Sequence, residues 1–383
     1  MKILVNLSTL TQSGIIPIWL RKFQELSKFG HQIDLLYDNR PHQINLQQSD
    51  LHQYNQSKEI LDLPRPNSKL KFILYALQKN WTTILCLNKF SHKYDVIYSP
   101  SSVLDLAIVP FFFKKSNPKI IWTTVFDNIV PITDPGNKFT RFLSWVFFQI
   151  SLILIRQADI IYTISPELKT YLIKHHFSSQ KVFLTGNGIE IEQIEQVPNQ
   201  KKQIDALFIG RINETKGIFD MLKVLSIIKQ QFPKFTLAIM GDGDDATKNK
   251  FKKEIEKLNL QSNVKFLGYI SGIKKFQIIK SSRCFWFLSV SPSESFGIAL
   301  MEAVSSGLPA FTYNLPVFKK IYQHQEVTFS PIHRPDIVAK KVIKLFQSKK
   351  FSNKNGTKLL GKYSWENIAL LENQAITKLL RCC

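Results

Sequence analysis

Ser291–Pro309 reads SPSESFGIALMEAVSSGLP. The hydrophobic run Cys284–Val290 stands before it and is predicted to be a buried strand. Ser, Pro and Gly then turn the chain, and from about Gly297 an apolar helix of small residues begins, closed by Gly307 and Pro309. Glu294 falls on the loop and Glu302 inside the helix, with seven residues between them. The first N–H groups of a helix have no partner within it and attract anions. A carboxylate beside such a site can accept hydrogen bonds from the hydroxyls of the same ligand. The expected ligand is phosphorylated and polyhydroxylated.

The stretch Phe208–Gly217, FIGRINETKG, repeats the strand–turn–helix grammar. Gly210 follows a strand over Asp205–Ile209, and Arg211 and Lys216 flank a polar turn before a helix over Gly217–Gln230. A planar guanidinium, a compact ammonium and a helix N-terminus at one strand end suit a diphosphate; two ordinary solvated cations are the plainer alternative. Met240–Asp245, MGDGDD, follows another strand. Gly241 and Gly243 predict a tight turn with close backbone approach to a ligand, but the third glycine of a dinucleotide fingerprint is missing. Metal binding by its three aspartates is the weaker reading.

Outward from these motifs the chain alternates strands and helices. It opens with a strand at Lys2–Asn6, a loop containing Gly14, a helix over Ile18–Phe29 and a strand at Gln32–Tyr37, which argues for a parallel sheet. Residues 38–68 read as loops with a short strand at Ile60–Leu63. Strands are predicted at Asp95–Tyr98, Ile120–Val125, Asp159–Thr163 and Val182–Leu184. The turn Thr185–Gly188 and the polar stretch Glu190–Gln203 read as a linker. The predicted fold is α/β, with two doubly wound Rossmann-like domains facing a cleft. The first spans 1–186 and regains a helix at 365–383; the second spans 187–364.

Lys and Arg number 51 against 29 Asp and Glu, a net charge of +22 over 383 residues, with the excess in both halves. Nucleic acid, an anionic membrane face and phosphate-bearing substrates all suit that balance, as does solubility alone. No nucleic-acid-binding motif accompanies it, and no nucleic-acid partner is expected. Cys86, Cys284, Cys382 and Cys383 show neither metal spacing nor a disulfide framework, which predicts a reducing, cytoplasmic setting. No metal site and no cofactor are expected. Phe142–Ile155 is apolar but bounded by Arg141 and Arg156 and too short to span a membrane, and Leu70–Leu87 mixes Phe72, Tyr75 and Trp81 with lysines as a basic amphipathic helix does; each is read as facing a core, and weak, peripheral association with the inner face of a membrane stays open.

GRINETKG, GDG and the E-x7-E stretch around Glu294 and Glu302 resemble the donor domain of retaining glycosyltransferases of family 4, which have the GT-B fold. Asn187–Glu190 is similar to that family's segment at the domain junction. Thr124–Pro131 (TVFDNIVP) is similar to its T-V-H-D-L-x-P stretch, and Ala158–Asp159…Ile164–Ser165 to its A-D…V-S pair. The likeness is strong over 205–315 and looser over 1–190. It implies a metal-independent hexosyltransferase of cell-surface polysaccharide or lipopolysaccharide synthesis. Such an enzyme moves a sugar from a nucleotide-sugar donor to a glycan or lipid-linked acceptor, with retention.

By the same resemblance Arg211 and Lys216 hold the diphosphate, Glu294 contacts the donor sugar and Glu302 the ribose. Backbone N–H groups at Phe296, Gly297 and Ile298 meet the phosphates, with Gly210, Gly241 and Gly243 beside them. Gly14, Phe126 and Asp127 fall on the acceptor side, and Asp127 joins Arg211, Lys216 and Glu294 as catalytic candidates. Phe126 replaces the family's usual histidine and cannot transfer a proton, so the alternative is a catalytically impaired nucleotide-sugar-binding partner.

Overall fold

A computed structural model describes residues 1–7, 16–37, 52–55, 69–88, 93–132 and 138–382. The chain divides into two compact units, Met1–Gly188 with Trp365–Cys383, and Ile189–Ser364.

Among its described residues the first unit holds seven parallel strands: β1 Lys2–Asn6, β2 Gln32–Tyr37, β3 His52–Asn55, β4 Val96–Ser99, β5 Ile121–Phe126, β6 Ile160–Thr163 and β7 Val182–Leu184, in the spatial order β3-β2-β1-β4-β5-β6-β7. Its helices are α1 Ile16–Ser27, α2 Lys69–Asn88, α3 Leu104–Ser116, α4 Lys138–Ile155 and α5 Pro166–Lys174. β5, IWTTVF, is buried along its whole length. An interior parallel strand is covered on both faces, which is why such strands read as apolar runs without alternation. β1 lies between β2 and β4, with Ile3 opposite both Ile33 and Val96. The step from β1 to β2 runs one way along the sheet, while the steps from β3 to β4, β4 to β5 and β5 to β6 run the other way. Right-handed crossovers therefore put α1 on one face and α2, α3 and α4 on the opposite face. Accordingly α3 packs against both α2 and α4.

The second unit has a six-stranded parallel sheet in the order β10-β9-β8-β11-β12-β13. Its elements are α6 Ile191–Gln196, β8 Ile204–Ile209, α7 Ile218–Lys229, β9 Leu237–Met240, α8 Asp245–Lys257, β10 Val264–Gly268, α9 Gly272–Ser281, β11 Ser282–Phe287, α10 Ile298–Ser305, β12 Ala310–Tyr313, α11 Pro316–Ile321, β13 Thr328–Ser330, α12 Pro335–Ser348 and α13 Lys354–Thr357. One hydrophobic core joins Phe208, Met221, Leu225, Ile239, Phe251 and Trp286. The sheet order reverses beside β8, so the loops after β8 and β11 flank the switch point where ligands of doubly wound sheets sit.

The last helix, α14 Trp365–Cys382, belongs to the first unit and packs on α1. It is tied there by a buried polar cluster. Lys22 Nζ lies 3.2 Å from Glu372 and donates to Tyr98 Oη at 2.7 Å. Tyr98 donates to Glu372 at 2.7 Å, and Tyr162 to the Glu372 carbonyl at 3.0 Å. Burial, with the Glu372 charge beside it, pushes the Tyr98 hydroxyl well above its ordinary pKa, so it stays a donor.

Three expectations change. The stretch read as a linker contains α6; Ile194 within it and Val197 just after it are buried, and the carbonyls of both accept from Lys280. A strand stands at His52–Asn55 in the polar segment, while Ile60–Leu63 lies outside the described residues. The apolar helices α2 and α4 do not face the core on every side. Leu74, Leu77, Trp81 and Leu85 on α2, and Phe142, Phe147, Ile150 and Ile153 on α4, are exposed.

Candidate functional site

Two strand ends of the second unit bring the chemistry together. After β8 the chain turns through Gly210 and Arg211, and the Asn213 side chain accepts from the Thr215 N–H at 2.9 Å, capping a 3-10 turn at Glu214–Lys216. Gly217 then adopts the left-handed conformation, at φ 71°, and admits α7. A Cβ on Gly217 would stand 1.9 Å from the Leu288 carbonyl oxygen, so only glycine lets this turn lie against the end of β11. The Val290 N–H donates to the Thr215 carbonyl at 2.9 Å and locks the two loops together.

That lock places Lys216 against Glu294, and the two form an ion pair. The Ser289 hydroxyl lies 2.8 Å from the same Glu294 oxygen and 3.1 Å from the Thr215 carbonyl. Glu294 is nearly buried, whereas the Lys216 side chain keeps 22% of its surface exposed. An ammonium has three donors, so a lysine fixed by one carboxylate can still offer protons to a further anion. Arg211 is exposed and forms no ion pair among the described residues. The phenyl ring of Phe296 is buried and packs edge-on against Tyr363, centroids 5.3 Å apart. Its side chain belongs to the core, so at the start of α10 Phe296 has only main-chain groups to offer.

Glu302 lies within α10, buried, with Lys275 Nζ of α9 at 2.5 Å. Burial pushes this carboxyl up, Lys275 pulls it down, Glu190 adds to the rise, and the net direction is upward. Sequence reasoning missed both Lys275 and Ser289. Neither stands in a motif with Glu302 or Glu294: Ser289 meets Glu294 through the bend of the loop after β11, and Lys275 meets Glu302 through the packing of α9 near α10.

Gly241 and Gly243 have a different reason to be glycine than the one expected. A Cβ on Gly241 would fall 2.0 Å from the Gly210 carbonyl oxygen, and one on Gly243 2.3 Å from that of Ile212. Their close approach is to the neighbouring backbone, where the Ile212 N–H donates to the Asp242 carbonyl at 2.8 Å. They shape the turn that carries Arg211. The nearby aspartates have local duties as well: Asp244 caps α8, and Asp242 and Asp245 each lie 3.0 Å from Lys248. Among the described residues no three His, Cys, Asp or Glu side chains gather as a metal site would require.

In the first unit Phe126 ends β5 and is wholly buried, 5.9 Å from the Tyr171 ring and 6.2 Å from Phe148. It has no surface with which to touch an acceptor, which corrects its placement there. Its neighbour Asp127 accepts from the Ser101 hydroxyl at 2.9 Å. Burial pushes the Asp127 carboxyl up to about 6, against the pull of Ser101 and the Lys22 charge. Gly14 lies outside the described residues.

A folded-state pKa above the unfolded value means that the folded chain binds this proton more tightly. Asp127 therefore stabilises the fold on acidification from about pH 6 to 4 and loses that contribution as pH rises through about 6. Asp127→Asn should flatten the pH dependence of the urea midpoint across that window; an unchanged slope would show that Asp127 does not titrate there.

Residues 190–358 match the family model described as glycosyl transferases group 1. An uncharacterised glycosyltransferase of Methanocaldococcus jannaschii is 27% identical over 276 residues, 67% of this chain and 64% of that protein. The phosphatidyl-myo-inositol mannosyltransferase of Mycobacterium tuberculosis is 28% identical over 162 residues, 40% of each chain. The crystal structure of Anabaena HepE in complex with UDP and glucose superposes with a TM-score of 0.72 over 99% of both chains, at 15% identity. The fold is that of the GT-B glycosyltransferase structures.

Proposed function

We propose that this chain is a retaining, metal-independent glycosyltransferase. It takes a hexosyl group from a nucleotide-diphosphate sugar and passes it to a glycan or lipid-linked acceptor of cell-surface polysaccharide synthesis. The observation that carries the reading is the pairing of Lys216 with Glu294 across the ends of β8 and β11. Departure of the nucleotide leaves negative charge on a phosphate oxygen. A cation held in place beforehand stabilises that charge most in the transition state. Arg211 supplies the second cation, and the start of α10 supplies N–H groups. Glu294 orients Lys216 and accepts from sugar hydroxyls, and Glu302 accepts from the ribose. The match over residues 190–358 and the UDP held by HepE support this assignment. For the acceptor side the reading uses Asp127, the polar group that follows the buried Phe126.

Nucleotide sugars should raise the melting temperature of the chain, since a ligand of the native state stabilises by mass action. Glu302→Ala should abolish most of that shift, and a full shift in this variant would exclude the ribose role. The buried Phe126 favours one second reading, a donor-binding protein without transfer. Tight donor binding with neither transfer nor donor hydrolysis would establish it.

A further inference from the structure

Glu302 is the single charged residue of α10, IALMEAVS, and its side chain keeps only 6% of its surface exposed. A carboxylate so placed has little water to solvate its charge. The counter-charge comes from another helix. Lys275, in the first turn of α9, sets its ammonium 2.5 Å from Glu302 Oε1 with 17% of the side chain exposed. The same ammonium lies 4.6 Å from the centroid of the Phe276 ring, whose face attracts a cation. Lys274 beside it is exposed, so of two adjacent lysines one is turned inward to the glutamate.

The pair is half-used. Among the described residues Lys275 is the one hydrogen-bond donor to this carboxylate, and Oε2 receives none. A buried carboxylate oxygen without a donor costs the fold, and it is suited to meet a hydroxyl brought by a ligand. Nor does stability account for the pair, since desolvation of two buried charges offsets most of their attraction.

The charges acting on Glu302 are Lys275 of α9 and Glu190, the residue before α6. The other elements packed on α10 do not compete: Arg283 of β11 is paired with Asp205, β12 is AFTY, and Lys354 of α13 is exposed. Burial and Glu190 both push the Glu302 carboxyl up, and Lys275 alone opposes them.

We propose that Lys275 is a positioning residue for nucleotide recognition, holding Glu302 by Oε1 as a fixed, charged acceptor for the ribose hydroxyls of the donor. This rests on the nucleotide-sugar reading above and adds to it the residue on which the ribose contact depends. An ionised carboxylate only accepts, whereas a protonated one carries an O–H that no longer suits a donating hydroxyl. Without Lys275 the carboxyl titrates at higher pH, so nucleotide affinity is lost earlier on acidification.

The test is calorimetric titration of the full chain with UDP, GDP and ADP, followed by a pH series with the tightest of the three. Lys275→Met should weaken that nucleotide roughly tenfold at pH 7, the loss of one charge-assisted acceptor. Its acid limb of affinity should lie at higher pH than the parent's, with affinity regained toward pH 9. Lys275→Arg keeps the cation and should leave the limb in place. The 2′-deoxy form of the nucleotide offers Glu302 one hydroxyl fewer, so Lys275→Met should cost it less. In a Glu302→Gln chain, adding Lys275→Met should cost no further affinity, because the two residues act as one. A parent-like affinity and pH profile in Lys275→Met would overturn the proposal, as would an equal loss in the Glu302→Gln chain, which would make Lys275 independent of Glu302. Either result leaves the nucleotide-sugar reading standing; a parent chain that binds none of the three nucleotides would overturn both.

Discussion

Lys216→Ala should lower kcat on the order of a hundredfold at saturating donor, the usual loss when one preorganised charged contact to a departing anion is removed. The Lys216 ammonium is held by Glu294, on a loop fixed to the Lys216 turn by the bond from the Val290 N–H to the Thr215 carbonyl. Its position is thus set before any ligand arrives, and the rate benefit comes from not having to organise it later. Lys216→Arg keeps the charge but replaces a point donor by a planar fork, so it should recover only part of the rate. Glu294→Gln should act partly through Lys216 and reduce kcat in the same direction. Wild-type turnover in Lys216→Ala would remove the diphosphate assignment.

Gly217→Ala should damage both the fold and the rate. The left-handed backbone at φ 71° costs an L residue about 1 kcal/mol, and a methyl placed 1.9 Å from the Leu288 carbonyl adds a clash that only main-chain movement relieves. Together these should cost roughly 2–4 kcal/mol, read as a lower urea midpoint at unchanged m-value. The movement that relieves the clash draws the Glu214–Lys216 turn away from β11, so residual folded protein should also lose turnover. A variant with normal stability would show that the turn relaxes without cost.

Much of the second unit was legible because its strands are short apolar runs punctuated by glycines with structural duties. Glu294 and Lys216 could be named from the sequence, being polar residues at predicted strand ends. Their partners could not. Ser289 reaches Glu294 through the bend of a single loop, and Lys275 reaches Glu302 through the placing of α9 near α10, which follows from the fold as a whole. Gly241 and Gly243 were recognisable as a close approach, but the residue type does not say whether a ligand or another turn does the approaching. The first unit was harder to read. His52–Asn55 is a polar edge strand without a hydrophobic signature, and α4 is apolar on both its buried and its exposed sides, so periodicity alone could not choose its inner face.

The junction of Lys22, Tyr98 and Glu372 has a consequence for the order in which the molecule is made. Residues 189–364 form an uninterrupted unit, whereas the unit begun at the N-terminus waits for α14 to cover α1 and to bring Glu372 to Lys22. During translation the second unit can therefore close while the first still exposes the groove that α14 will fill. That interval is when a chaperone has most to protect, since unburied apolar surface and an unpaired buried lysine coexist in the nascent chain.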